Sequence, residues 1–145
     1  MKRPPNIAVA LSGGVDSSVV ALLLVQAGHA VTGVFMVDYD DGAQCWNKDY
    51  QDAVRVCARI GIPIIKLDFR TEYEDLVLKH MFEKYAAGET PNPDVMCNTH
   101  IKFGVWLEKL RSLGYDKMAT GHYARMRENK EGRTLHIAKD KVKDQ

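Results

Sequence analysis

The chain has 145 residues, of which 46% are apolar and 27% are charged, and its formal net charge is +1. This composition is that of a single globular domain, and it excludes a disordered chain. The near-zero charge gives no support for a nucleic-acid partner, although residues 125–145 contain 7 basic and 4 acidic side chains. Three widely spaced cysteines exclude a disulfide framework and indicate a reducing compartment and possible thiol chemistry.

The sequence also argues against a membrane location. No apolar run approaches the length of a transmembrane helix. Strand-like sequence begins at Ile7, and the six residues before it are too few for a signal or transit peptide. We therefore predict a cytoplasmic protein that has no membrane contact.

Strand-like and helix-like segments alternate along most of the chain. Short apolar or β-branched runs predict strands at residues 7–11, 30–36, 62–67 and 117–120. Helical spacing predicts helices at residues 17–27, 49–60, 71–87 and 98–113. Thr71 and Glu74 have the spacing of a capping box, and two prolines within residues 88–95 predict a loop. A polar stretch between residues 123–128 and 133–138 predicts a β-hairpin.

This order of elements predicts one α/β domain over residues 1–145, with a Rossmann-like parallel sheet covered by helices on both faces and a small C-terminal hairpin. In such sheets ligands bind at the carboxyl ends of the strands. The segments that follow the first, second and fourth strands are therefore expected to share one edge of the sheet: residues 12–18, 36–41 and 121–123.

The turn after the first strand has the sequence Leu-Ser-Gly-Gly-Val-Asp-Ser-Ser, from Leu11 to Ser18. Gly13 and Gly14 permit left-handed dihedrals and a close approach of the backbone to a ligand. Successive N–H groups and the start of a helix then favour an anion, and the serine hydroxyls add donors. The pattern differs from both the Walker and the dinucleotide-binding motifs. A simple tight turn with a serine or aspartate cap is the alternative.

A second distinctive segment is Thr-Pro-Asn-Pro-Asp-Val-Met-Cys-Asn, from Thr90 to Asn98. Asp94 precedes Cys97 by three residues, so one helical turn would bring the carboxylate and the thiol together. Because Cys97 is predicted at a helix start, we expect it to hold more thiolate than a free cysteine. Packing of Cys97 among apolar neighbours is the alternative.

These motifs resemble known families. The Ser-Gly-Gly-x-Asp-Ser string resembles the pyrophosphate-binding loop of ATP pyrophosphatases, which share an adenine nucleotide alpha hydrolase-like fold. Further segments extend the resemblance to the tRNA-specific 2-thiouridylases, in order and over essentially the whole chain: 12–18, 35–36, 91–98, 101–103, 119–123 and 143–145.

The resemblance implies a reaction. ATP adenylates the 2-oxygen of the wobble uridine in certain tRNAs, and a cysteine persulfide then delivers sulfur, giving 2-thiouridine, AMP and pyrophosphate. The implied partners are tRNA and a persulfide donor, either a cysteine desulfurase or a sulfur-relay protein. The implied cofactors are ATP and Mg²⁺, and Asp16 is expected near Mg²⁺ or the attacking substrate.

The resemblance also assigns residues. The implied catalytic residues are Cys97 and Asp94. The implied ATP site consists of Ala10, Leu11, Ser12, Gly13, Gly14, Val15, Asp16, Ser17, Met36 and Gly121. The implied tRNA contacts are Asn92, Pro93, Asp94, His122, Lys143, Asp144 and Gln145.

The sequence departs from the family in one respect. The family's second, persulfide-bearing cysteine lies beyond the Lys-Asp-Gln triplet, as do two β-rich domains, and neither Cys45 nor Cys57 matches that cysteine. We therefore expect a fragment that binds ATP without completing sulfur transfer. The alternatives are another ATP pyrophosphatase and a non-catalytic ATP-binding module. The three cysteines lack the spacing of a zinc or iron–sulfur site, so no metal centre is predicted among them.

Overall fold

A four-stranded parallel sheet organises the protein, which we describe from a computed structural model covering residues 3–40, 42, 46–122, 124–130 and 132–138. Its strand order is β3-β2-β1-β4. The strands are β1 (Asn6–Ala10), β2 (Ala30–Val37), β3 (Ile64–Asp68) and β4 (Lys117–Ala119). Ile7 pairs with Val31 on one side and with Lys117 on the other. The predicted α/β fold with a parallel sheet is confirmed.

Helices cover both faces of this sheet. The α-helices are α1 (Val15–Gln26), α2 (Trp46–Ile60), α3 (Arg70–Tyr73), α4 (Lys79–Ala86), α5 (Pro93–Met96) and α6 (Trp106–Ser112). Two π-helical segments, Glu74–Leu78 and Cys97–Val105, join α3 to α4 and α5 to α6. The second of these is called the π segment below.

Strand β1 is apolar from residue 7 to residue 10 because successive residues pack into different cores. Ile7 and Val9 pack with Ala21 of α1 and Ala53 of α2 on one face. Ala8, between them, packs with Trp106 and Leu110 of α6 on the opposite face. All three β1 residues are at most 4% exposed.

Cys57 belongs to the core between α2 and the sheet. It is 1% exposed, and a Cβ on Gly33 of β2 would lie 2.6 Å from its Sγ atom. The absence of a side chain at Gly33 therefore makes room for the thiol. Burial in this core raises the pKa of the Cys57 thiol.

The predicted capping box after β3 is wrong. The helix begins at Arg70 and leaves Thr71 inside its first turn, and the N-cap residue Phe69 has no side-chain cap. Instead, the Asp68 carboxylate accepts a hydrogen bond from the Arg70 backbone N–H at 3.2 Å and forms an ion pair with its guanidinium at 2.7 Å. Hydrogen bonding to Arg70 lowers the pKa of Asp68.

The predicted proline loop is shorter than expected. Helix α5 begins at Pro93, a position where a missing N–H costs nothing, and Asn92 caps it. The Asn92 Oδ1 atom accepts hydrogen bonds from the N–H groups of Asp94 at 3.0 Å and Val95 at 3.2 Å. Cys97 consequently lies one turn inside a helix that continues to Ser112, and not at its start.

The π segment changes which side of this helix is buried. The buried residues are Cys97, Ile101, Trp106 and Leu110, so the spacing widens to five between Ile101 and Trp106. The widening follows from i→i+5 turns and from the non-helical dihedrals of Gly104. Val105 and Leu107 are only partly buried.

The predicted hairpin is confirmed as a separate antiparallel pair. It consists of β5 (Arg125–Asn129) and β6 (Gly132–His136). Met126 and Leu135 are opposite each other and both are exposed. Within the described part of the chain, no helix has the length and apolar character needed to cross a membrane.

Candidate functional site

A cavity of about 500 Å³ opens at the carboxyl edge of the sheet. Its wall includes Ser12 after β1, Asp38 after β2 and Gly121 after β4. The predicted convergence of three separate segments is therefore confirmed for the residues that the structure describes. Asp41 and Tyr123, the last residues of the second and third segments, lie outside them.

The glycine turn packs tightly against the start of α2. Gly13 has φ +78°, and a Cβ there would lie 2.6 Å from the Asp49 carbonyl oxygen. Gly14 differs from expectation, because it is extended, with φ −79° and ψ 169°, and acts as the N-cap of α1. Only the first glycine thus needs the left-handed conformation that non-glycine residues avoid.

The serine hydroxyls hold the turn in shape. Ser12 Oγ accepts a hydrogen bond from the Gly14 N–H at 3.3 Å and lies 3.3 Å from Ser17 Oγ. Ser18 Oγ donates to the Gly14 carbonyl oxygen at 2.7 Å. Ser12 and Ser17 line the cavity. Ser18, predicted as an additional ligand donor, instead closes the turn.

Most of the residues assigned to ATP line the cavity, but three do not. Those that line it are Ala10, Leu11, Ser12, Asp16, Ser17, Met36 and Gly121. Gly121 lies directly against the turn, since a Cβ there would be 3.0 Å from the Ser17 backbone nitrogen. Gly13 and Gly14 shape the turn without lining the cavity, and Val15 faces solvent with 78% exposure.

The structure adds residues that sequence reasoning missed. Phe35, Trp46 and Trp106 give the cavity an aromatic wall. The Trp46 indole N–H donates to an Asp40 carboxylate oxygen at 3.2 Å. Trp46 follows the second strand, and this position was the one signal in the sequence that could have identified it. Trp106 carried no such signal, because it reaches the cavity through the packing of α6.

Cys97 lies beside the cavity rather than in its wall. It is 8% exposed and packs with Val77 and Ile101. Burial raises the pKa of the Cys97 thiol, Lys102 opposes this, and Asp38 and Asp94 add to it. The expectation of a lowered pKa is therefore wrong: the helix start is a turn away, and desolvation disfavours the thiolate.

The target-base contacts form the start of the same helix. Asn92 and Asp94 are exposed and Pro93 is half-buried, and none of the three lines the cavity. Asp94 is one turn before Cys97, as predicted, and its charge reaches the thiol. These residues therefore lie outside the cavity, on the side where Cys97 is held.

His122 lies at the cavity wall. Its Nδ1 atom is 2.7 Å from Thr120 Oγ1, and its ring centroid is 5.6 Å from that of Phe103. Burial lowers the pKa of His122, and the charge of Lys102 lowers it further. Both effects favour the neutral form of the His122 ring.

Several predicted residues lie outside the described part of the chain: Cys45, Lys143, Asp144 and Gln145. Within the described part, no group of three or more histidine, cysteine or acidic side chains could hold a metal ion.

A parallel sheet of this strand order, with a left-handed glycine turn after β1 at the edge of a cavity, defines a Rossmann-like α/β protein of the adenine nucleotide alpha hydrolase type. Comparison with known proteins makes this more specific. The chain belongs to the family described as the tRNA methyl transferase HUP domain, whose family model matches residues 5–145.

Curated relatives agree with this membership. The chain is 50% identical over 131 residues to a tRNA-specific 2-thiouridylase MnmA of Bacillus pumilus, covering 86% of this chain and 35% of that protein. It is 46% identical over 148 residues to the MnmA of Oceanobacillus iheyensis, covering 99% of this chain and 40% of that protein. The chain thus spans little more than a third of the length of these relatives.

Solved structures share the fold. The U34-tRNA thiolase NcsA from Methanococcus maripaludis matches with a TM-score of 0.60 and 24% identity, over 84% of this chain and 39% of that one. The NH3-dependent NAD synthetase from Campylobacter jejuni matches with a TM-score of 0.56 and 18% identity, over 84% and 49%. At these identities, the likeness supports the fold alone.

Proposed function

We propose that this chain forms the ATP-binding and thiol-bearing domain of a tRNA 2-thiouridylase. The observation that carries the proposal is the juxtaposition of a glycine turn suited to phosphates with a helix that holds Cys97 at the side of the same cavity. The thiouridylase names of relatives 46–50% identical to this chain give the substrate class.

The cavity is suited to a nucleotide. Its volume of about 500 Å³ is within the range of small-molecule sites. The aromatic wall suits an adenine ring, and the N–H groups at the start of α1 suit phosphates. Gly13 and Gly121, where a Cβ would lie 2.6 and 3.0 Å from backbone atoms, both belong to the phosphate end. These observations support ATP as the ligand.

Mg²⁺ would accompany ATP for a reason of charge. Three aspartates and one lysine line the described cavity wall, so an unaccompanied polyphosphate would meet net negative charge. Asp16, at the turn, would hold the ion together with phosphate oxygens, as Mg²⁺ commonly requires. Bound there, the ion would neutralise charge on the phosphates.

The proposed chemistry needs both the glycine turn that would bind ATP and the Cys97 thiol. The 2-oxygen of uracil is a poor leaving group until it attacks the α-phosphorus of ATP and pyrophosphate departs. The terminal sulfur of a persulfide on a carrier cysteine then attacks C2 of the uracil, the carbon that bears the adenylated oxygen, and AMP leaves. The Cys97 thiolate attacks the carrier cysteine's sulfur, forming a disulfide and freeing the 2-thiouridine, and a cellular dithiol reduces that disulfide. Asp94 would manage the proton on the base or thiol.

The remaining proposed residues would contact the tRNA and its target base. The target uridine must leave its stack to reach the α-phosphate. Asn92, Pro93 and Asp94, at the exposed start of the helix, would contact the extruded base. His122, and Lys143 to Gln145 beyond the described residues, would contact the surrounding tRNA.

Pyrophosphate release tests this function directly. With Mg-ATP, an anticodon stem-loop bearing uridine at the wobble position is expected to stimulate release above the basal rate. The matched stem-loop with cytidine at that position should leave the rate unchanged. ATP binding without stimulated release by any tRNA would instead indicate a nucleotide-binding module.

Nucleoside mass spectrometry distinguishes the remaining enzymes. With a persulfide donor and the whole protein, the expected product carries sulfur in place of the 2-oxygen. A methylated base, as the family description suggests, or sulfur at the 4-position would contradict the proposal and reassign the reaction.

Binding of tRNA to these residues is expected to be weak and salt-sensitive. The described basic residues of the hairpin supply few phosphate contacts, so affinity should fall about 10- to 100-fold between about 50 and 200 mM salt. Arg127→Gln on exposed β5 should reduce the log–log salt slope by about 1. Arg59→Gln, at an exposed position of α2, is the control and should leave the slope unchanged. Tight binding that ignores salt would show that another surface recognises tRNA.

A further inference from the structure

Lys102 has an unusual position in the cavity. Among the described lining residues it is the single lysine or arginine, and it shares the wall with Asp16, Asp38 and Asp49. Neither the glycine turn nor the proposed base contacts explain a lysine here. The charge of Lys102 acts on Cys97 and on His122. Both of these residues belong to the proposed chemistry.

The π segment places Lys102 relative to Cys97. The two residues are five positions apart and both lie within Cys97–Val105. In an α-helix of 3.6 residues per turn, residues five apart point to diverging sides. In i→i+5 turns, the residue five positions on lies over the residue that begins the turn. The local helix type therefore keeps the lysine on the side of the buried thiol.

His122 approaches the same lysine from β4. It follows β4, lines the cavity together with Lys102, and contacts the ring of Phe103, the residue next to Lys102. The lysine therefore shares its helix segment with the Cys97 thiol and its cavity wall with the His122 imidazole.

We propose that Lys102 is a positioning residue that sets the protonation of both groups, stabilising the thiolate form of Cys97 and the neutral form of His122. The relevance of Cys97 to catalysis rests on the proposed function. The electrostatic role of Lys102 is a property of the folded chain and can be measured without any reaction.

The surrounding charges make this role specific. The groups that face Cys97 are Asp38 after β2, Asp94 one turn earlier, Tyr73 of α3 and Lys102. Burial and both carboxylates raise the pKa of the thiol, and Lys102 alone lowers it. At His122, burial and Lys102 both lower the pKa. Because a cation favours loss of a proton from any neighbour, removing Lys102 must raise both pKa values.

The consequence concerns reactivity. A persulfide-resolving cysteine must be a thiolate to attack sulfur. With desolvation and two carboxylates against it, Cys97 depends on Lys102 for that form. A neutral His122 keeps a lone pair or a single N–H for the 2.7 Å contact with Thr120, and it adds no second positive charge beside the lysine.

Two titrations by NMR test the proposal in the intact chain. Cysteine labelled at the β-carbon reports Cys97, and ring carbon signals report His122. Lys102→Met, which keeps the apolar stem, is expected to raise both titration midpoints by about 0.5 to 1 pH. Lys102→Arg, which keeps the charge, should return both midpoints toward those of the unmodified chain. Lys109→Met, at an exposed position of α6, is the matched control and should move neither.

A further variant tests whether the Cys97 signal responds to a change in a neighbouring charge. Asp94→Asn removes a carboxylate that faces the thiol, so it should lower the Cys97 midpoint. If that midpoint responds to Asp94→Asn but neither midpoint moves in Lys102→Met, the proposal is overturned, whatever the pyrophosphate assay shows. If the midpoints move as expected but stem-loops never stimulate pyrophosphate release, the proposed function fails and the role of Lys102 stands.

Discussion

Replacing Gly13 with valine is expected to lower ATP affinity by about 100-fold or more. A β-branched residue at φ +78° costs about 1–2 kcal/mol in backbone strain alone. Its Cβ would also lie 2.6 Å from the Asp49 carbonyl oxygen, so the turn must separate from α2. Both effects move the N–H groups that would bind phosphate. Isothermal calorimetry with Mg-ATP measures the loss.

Gly28→Val provides the matched control. Gly28 follows α1, has φ +81°, and a Cβ there would meet nothing within 4 Å. The control therefore introduces similar backbone strain without a collision and away from the cavity. It should lower thermal stability while ATP affinity stays within a few-fold of the original. Equal affinities for Gly13→Val and the unmodified chain would show that ATP binds elsewhere.

Replacing Ile101 with alanine is expected to destabilise the protein by about 2–5 kcal/mol. Ile101 is 0% exposed and packs with Val77 and Cys97, so truncation leaves a cavity beneath the thiol. For a domain of this size, the expected fall in melting temperature is about 10 °C. Thermal and urea unfolding followed by circular dichroism measure the change.

Leu113→Ala removes as many carbon atoms at the end of the same helix. Leu113 is 47% exposed, so its truncation should cost less than about 0.5 kcal/mol. A similar, small loss in both variants would mean that the helix bearing Cys97 is not anchored through Ile101. In that case the buried position of Cys97 would need another explanation.

The sequence determined the architecture and the edge at which the site forms. Continuous apolar runs predicted buried parallel strands, and helical spacing predicted the helices between them. Since parallel strands expose their carboxyl ends at one edge, the turn at Ser12 and the segment at Gly121 could be placed together before any coordinates. These inferences succeeded because they depend on local periodicity and on topology, which are both properties of chain order.

The sequence predicted helix boundaries and the protonation of Cys97 less well than the architecture. The capping box at Thr71 failed because the helix begins at Arg70, whose backbone N–H and guanidinium both bind the Asp68 carboxylate. The thiolate preference of Cys97 failed because Asn92 begins the helix a turn earlier. At Thr71 a residue outside the motif took the expected role, and at Cys97 an earlier residue of the same motif moved the helix start.

Only the tertiary structure decided what surrounds the reactive groups. Trp106 reaches the cavity because the π segment rotates the helix face by one residue, and no periodicity of 3.6 predicts that rotation. Lys102 reaches the same wall for the same reason. Burial of Cys97, which governs its pKa, results from packing against residues distant in the chain. Desolvation and electrostatics depend on distances in space, and motif spacing does not encode these.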